Sequence, residues 1–183
     1  MSKHHRNRNW APAPQPLPED AHVIDNHTHV ASVVPFSQAM SHEAMEKGQG
    51  EVPVYSVDEL LEQAQKVGVE GVIDCGCELP NLMTAIDMAR EHPGTVHAAI
   101  AIHPNEAVLH GHRGAPGPDG LPIKYKPWHD IPFDEAMAEV HRLATTYPNQ
   151  VVAIGETGMD LFRTGESAKE LQREAFRAHI ALA

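Results

Sequence analysis

Apolar and polar positions fall in blocks along the chain. Val23-Ile24-Asp25-Asn26-His27-Thr28-His29-Val30 alternates and predicts a first strand. Three further short, nearly continuous apolar runs, over 69–76, 96–102 and 151–156, predict three more. Between them, apolar residues recur at helical spacing. Leu60, Leu61, Ala64 and Val67 follow a Ser56-Val-Asp-Glu59 capping box and stop at Gly68. Leu82, Ala85, Ile86 and Ala89 share one face of a helix that starts near Pro80 and runs to His92. Ala136, Val140, Leu143 and Ala144 mark another over 134–147. A second capping box, Ser167-Ala-Lys-Glu170, predicts a last helix to residue 183. The stretch from the first strand to about Tyr55 reads as loop, and the Gly- and Pro-rich residues 110–132 as a long surface loop.

Strand and helix therefore alternate, and the strands are apolar on both faces. That pattern predicts an α/β chain with a buried parallel sheet. Two architectures accommodate it: an open doubly wound sheet, or the first four βα units of a (β/α)8 barrel. No Gly-x-Gly-x-x-Gly follows the first strand and no Gly-x-x-x-x-Gly-Lys-Ser/Thr occurs, which argues against nucleotide-cradling loops.

Composition narrows the picture. With 183 residues, 42% hydrophobic and 21% charged, the chain reads as an ordinary globular one. Residues 1–21 are the exception: prolines crowd positions 12–18 and predict a disordered tail, leaving 22–183 as the folded domain. The formal net charge of −11 argues against a polybasic nucleic-acid binder held by charge alone. It leaves room for an enzyme that grips phosphates through metal ions. No apolar run is long enough to span a membrane, no secretory signal is visible and two cysteines make no disulfide scaffold, so a cytoplasmic location is expected. Histidine is over-represented at 14 residues, which invites a metal reading.

Polar, potentially ligating residues collect at the C-terminal end of every predicted strand, the end that carries the active site in parallel α/β folds. The first strand ends in Asp25-x-His27-x-His29, the second in Asp74-Cys75-Gly76-Cys77-Glu78, the third in His103-Pro104 and the fourth in Glu156-Thr-Gly-Met-Asp160. His27 and His29, two apart on a strand, point to one face with Cα atoms about 6.6 Å apart and can converge on one metal ion. Asp25 lies on the same face as support. Glu156 closes an apolar strand, where a carboxylate is costly unless it is paired or holds a metal. Asp160 is expected to orient its loop rather than ligate. His103 is expected either to contact substrate phosphate or to lie just outside the metal shell. Cys75 and Cys77 are expected to be unreactive buried thiols, and His4, His5, His110, His112 and His129 to be solvated.

These motifs, taken in order, make the chain resemble the TatD family, metal-dependent deoxyribonucleases among the amidohydrolase-like TIM barrels. The resemblance rests on Asp25-Asn-His27-Thr-His29, Ile102-His103-Pro104 and Ile154-Gly-Glu156-Thr-Gly-Met-Asp160, with Gln172 and Phe176 in the following helix. It implies that His27 and His29 bind one divalent ion, that Glu156 bridges two, and that His103 lies on the substrate side. Asp25 and Asp160 are expected one shell out. The implied chemistry is hydrolysis of phosphodiester bonds at DNA ends by two divalent ions, Mg2+ first, with Mn2+ or Zn2+ as alternatives. The family's other ligands, two histidines and an aspartate from later strands, have no counterpart here, and neither does its general base. A full barrel takes about 250 residues, so residues 22–183 are expected to form an incomplete domain, active only with the missing half supplied. The rival readings are a metal-dependent esterase, such as an aminoacyl-tRNA deacylase, and an inactive truncated fragment.

Overall fold

A computed structural model of the chain describes residues 16–49, 53–115 and 123–183. Most of the expected tail, including His4 and His5, lies outside these residues, as does the middle of the expected 110–132 loop. The order of elements is β1 (Val23–Thr28), α1 (Val30–Glu46), α2 (Val57–Lys66), β2 (Val69–Gly76), α3 (Leu79–Glu91), β3 (Val96–Ile100), the short α4 (Pro104–Ala107), α5 (Phe133–Thr146), β4 (Val151–Ile154) and α6 (Lys169–Leu182).

The four strands form one parallel sheet in chain order, β1-β2-β3-β4. Val72 pairs with Val96 and Gly76 with Ile100 across β2 and β3, and Ile100 pairs with Ile154 across β3 and β4. Strands adjacent in both sequence and space are what successive βα crossovers produce. They match the first strands of a barrel and not a doubly wound sheet, whose strand order reverses at a switch point. β3 is the most buried strand: Ala98, Ile100 and the two residues beyond it, Ala101 and Ile102, are fully covered. Leu82 and Ile86 of α3 and Ala136 and Val140 of α5 complete this core.

The chain divides into two compact units. One holds the described residues of 16–24 and 32–70, including α2. Here the capping box forms as expected: the Ser56 hydroxyl accepts from the Glu59 amide, and the Glu59 carboxylate accepts from the Ser56 amide. Gly68 ends the turn with φ +95°, a left-handed conformation open to glycine. The other unit, residues 25–31 and 71–183, carries the sheet from Asp25 onward and all the candidate site residues.

Three local expectations fail. The stretch after β1 is not loop but the 17-residue α1, despite Pro35 inside it. Its apolar positions form no clean stripe and its first turns hold Val33, Val34 and Pro35, so periodicity and propensity both misread it. The second capping box does not form either. Residues 166–168 make a single 3-10 turn, buried Ala168 takes the N-cap position of α6, and no side chain caps it. Lastly, His110 and His129 are 0% and 1% exposed rather than solvated, whereas His112 is exposed and paired with Asp130 at 2.6 Å. The His110 Nδ1–H donates to the Ile131 carbonyl, which ties the two ends of the 110–131 excursion together.

Candidate metal centre

β1 ends at Thr28, so His27 is its penultimate residue and His29 the first beyond it. The Thr28 hydroxyl donates to the Ile73 carbonyl at 2.9 Å and locks this end of β1 beside β2. Asp25 supports the first motif through the main chain. Its Oδ1 accepts from the His27 backbone N–H at 3.2 Å and steadies the turn of the main chain.

Glu156, two residues past β4 and half-buried, brings the others together. His27 Nε2 contacts its Oε1, and His29 Nε2 lies 3.3 Å from the same oxygen. His103 Nε2 lies 3.3 Å from Oε2. The two imidazoles of the β1 motif meet edge to face with centroids 5.4 Å apart. His27, His29 and Glu156 each offer a ligand atom within 4.8 Å of the other two, the sole such group among the described residues.

Hydrogen bonding to the far side of each ring assigns its proton. The His29 Nδ1 lies 3.3 Å from the Cys75 carbonyl, which can only accept, so in the neutral ring the proton sits there and Nε2 carries the lone pair. A lone pair facing a carboxylate at 3.3 Å is a contact between two acceptors, which calls for a proton or a cation between them. A carbonyl behind a ligating histidine is the usual outer support of a metal site. His103 is the reverse case. Its Nδ1 accepts from the Asn105 N–H at 3.1 Å, so in the neutral ring Nε2 is a donor aimed at Glu156. His29 is therefore suited to ligation, and His103 to donating a hydrogen bond to an anion.

Asp160 stands apart from the three ligand candidates. Its Oδ1 accepts from the Phe162 N–H at 2.9 Å and its Oδ2 from the Asn105 amide at 2.8 Å. Partial burial pushes this carboxyl up, but the bonds from Phe162, Asn105 and Arg163, with the nearby His103, outweigh it and hold it below the ordinary range. Gln172 of α6 closes the ring: its Oε1 accepts from the Asp160 N–H and its Nε2–H donates to the Asp160 carbonyl. The Thr164 hydroxyl donates to Asn105 Oδ1 at 2.7 Å. Sequence reasoning missed Asn105 and Thr164. The signal for Asn105 was its place directly after His103-Pro104; Thr164 carried none.

The groups of the second strand end differ in burial. Asp74, 1% exposed, turns its carboxylate to the Val30 and Ala31 amides, and burial pushes it above its ordinary value against their pull. Cys75 and Cys77 are half-buried rather than buried, and Cys77 is hydrogen-bonded to Glu156; partial burial raises Cys75 and pushes Cys77 up to about 12, so neither thiol ionises near neutrality.

A parallel α/β sheet with a His/His/Glu donor set at its C-terminal strand ends defines the class: an α/β chain with a candidate divalent-metal centre. The chain belongs to the TatD family, since the family model described as TatD related DNase matches residues 24–183. It is 33% identical over 132 residues to a Mycobacterium tuberculosis protein named "Uncharacterized metal-dependent hydrolase TatD", covering 70% of this chain and 40% of that one. It is 30% identical over 126 residues to the "3'-5' ssDNA/RNA exonuclease TatD" of Erwinia tasmaniensis, covering 69% and 39%. A solved TatD family hydrolase from Entamoeba histolytica shares the fold, with TM-score 0.53 and 20% identity over 88% of this chain and 45% of that one. The chain thus spans about 40% of the length of the curated relatives it matches. No helix among the described residues is long and apolar enough to cross a membrane.

Proposed function

We propose that this chain carries the first metal-holding portion of a metal-dependent phosphodiesterase acting on nucleic acid, with single-stranded DNA ends as the preferred substrate. The observation that carries the reading is the convergence of His27, His29 and Glu156, with the Cys75 carbonyl behind the His29 ring. Imidazole nitrogen and carboxylate oxygen suit Mg2+, Mn2+ or Zn2+. His27 and His29 would hold one ion, and Glu156 would share it with a second. When bound, a divalent ion supplies Lewis-acid polarisation of a phosphoryl oxygen.

The chain's own groups have separable tasks. His103 donates its Nε2–H toward a phosphate oxygen. Asn105 holds that ring in the donating tautomer through its backbone N–H, and Asp160, Gln172 and Thr164 hold Asn105. Asp25 steadies the main chain under His27. Relatives of the family named as exonucleases support nucleic acid as substrate. The further ligands and the base implied by the resemblance belong to later strands, so full activity is expected of a protein that supplies them.

Calorimetric titration of the 183-residue chain with Mn2+ tests the centre directly. His29→Ala should weaken binding by more than about 100-fold, beyond the roughly 10–100-fold typical of groups one shell out. The same titration on His103→Ala should change little. Equal binding by the parent chain and a His27→Ala, His29→Ala double variant would sink the assignment.

A further inference from the structure

Among the described residues, the excursion between α4 and α5 adds no ligand candidate to the centre, yet residues 124–128 build an ordered aromatic and basic surface. Lys124, Tyr125, Lys126 and Pro127 are exposed in succession, and Trp128 is half-buried behind them. We propose that Tyr125, Lys126 and Trp128 form a stacking platform for single-stranded nucleic acid, a reading that deepens the nuclease assignment above.

Three observations support it. First, the rings are held rather than loose. The Trp128 Nε1–H donates to Glu106 Oε2 at 3.1 Å, and Tyr125, 39% exposed, rests against the His112 ring with centroids 4.3 Å apart. His129 Nδ1 accepts from the Lys126 N–H, so its Nε2–H donates to Glu106 at 2.7 Å and pins the turn from below. An aromatic face that is both exposed and already ordered can stack a base at low entropic cost. Second, two lysines flank the exposed ring. Lys124 and Lys126 are exposed on either side of Tyr125, in a chain of net charge −11, and the neighbouring exposed Asp130 is paired with His112. Lys126 Nζ stands 5.6 Å from the centre of the Trp128 ring. Glu78 and Glu106 lie underneath; Glu106 is occupied by Trp128 and His129, and burial, with Glu106 beside it, raises Glu78. Third, the platform is tied to the candidate centre by one turn of helix. His103 caps α4 and faces Glu156, while Glu106 on the same α4 holds Trp128.

The test is fluorescence anisotropy of a labelled oligothymidylate with the 183-residue chain in EDTA, where nothing is cleaved. Tyr125→Ala should bind roughly 5- to 150-fold more weakly, the range one base–aromatic stack supplies, and Tyr125→Phe should bind like the parent. Lys126→Ala should flatten the salt dependence by about 0.7 in the slope of log K against log salt, as for one phosphate on a single strand. No binding by the parent, unchanged binding by Tyr125→Ala, or equal loss in Tyr125→Phe would each overturn the platform. Tyr125-dependent binding together with a flat Mn2+ titration would remove the metal-centre reading and leave the platform standing. A normal Mn2+ titration with Tyr125-independent binding would do the opposite.

Discussion

His179 shows how much one buried ring can decide. It is 1% exposed, its Nε2 accepts from the Ile102 N–H at 3.1 Å, and its Nδ1–H donates to the Ala175 carbonyl at 2.7 Å. Both nitrogens are committed in the neutral form, and a second proton would turn Nε2 into a donor facing a donor. Burial accordingly lowers its pKa below 6.5, against the pull of the Ala175 bond, and burial lowers His110 as well. Because the folded value is depressed, the unfolded chain binds the proton first. The stability these rings contribute is full above pH 6.5 and is lost as pH falls from there toward the folded values, by at most about 1.4 kcal/mol per pH unit per ring. Urea midpoints should therefore drop as pH falls below 6.5, and His179→Gln should flatten that drop. An identical profile in the variant would rule His179 out as the cause. Asp74 offers a second check. Asp74→Ala leaves the buried Val30 and Ala31 amides without their acceptor, and should cost about 1–3 kcal/mol in the same measurement. In sequence these two residues look alike, polar letters inside apolar runs; only burial separates such structural groups from the exposed His27.

Elements position the site through their ends. β2 passes into α3 at Gly76, where a Cβ would fall 2.7 Å from the Asn81 carbonyl oxygen and 3.0 Å from Leu82 Cα. Both are backbone atoms and cannot rotate away. Gly76→Ala should cost roughly 1–3 kcal/mol by overpacking and shift the Cys77 and Glu78 strand end; an unchanged urea midpoint would show that α3 is free to move. The elements that were legible from sequence have strong local signals. β2 runs over the residues its apolar block marks, and α2 has the cap its Ser56 and Glu59 announce. Those that were not legible have signals overridden by packing. Val33, Val34 and Pro35 disfavour helix, yet α1 runs through them; Ser167 and Glu170 favour a cap, yet a 3-10 turn buries Ala168 there. Local preferences of a kilocalorie or so per residue yield to the burial of a whole side chain.

At the scale of the molecule, β4 ends the sheet and is thinly covered. Val152 is 52% exposed, and Phe176 and Ile180 of α6 remain open. Apolar surface next to a strand edge favours association. The 183-residue chain should show concentration-dependent self-association in sedimentation experiments, relieved by Phe176→Glu with Ile180→Glu. A chain that stays monomeric at every concentration would show this face to be adequately solvated. The alternation of apolar blocks, and the ligating residues at each strand end, were determined by the sequence alone, because strand and helix periods and βα connectivity are local properties. The shared carboxylate of Glu156, the proton positions on His29 and His103, and the burial of His110 and His129 were decided by the tertiary structure. Those depend on which backbone carbonyl or amide lies behind each ring, and such neighbours, 46 residues apart for His29 and Cys75, meet only when the sheet assembles.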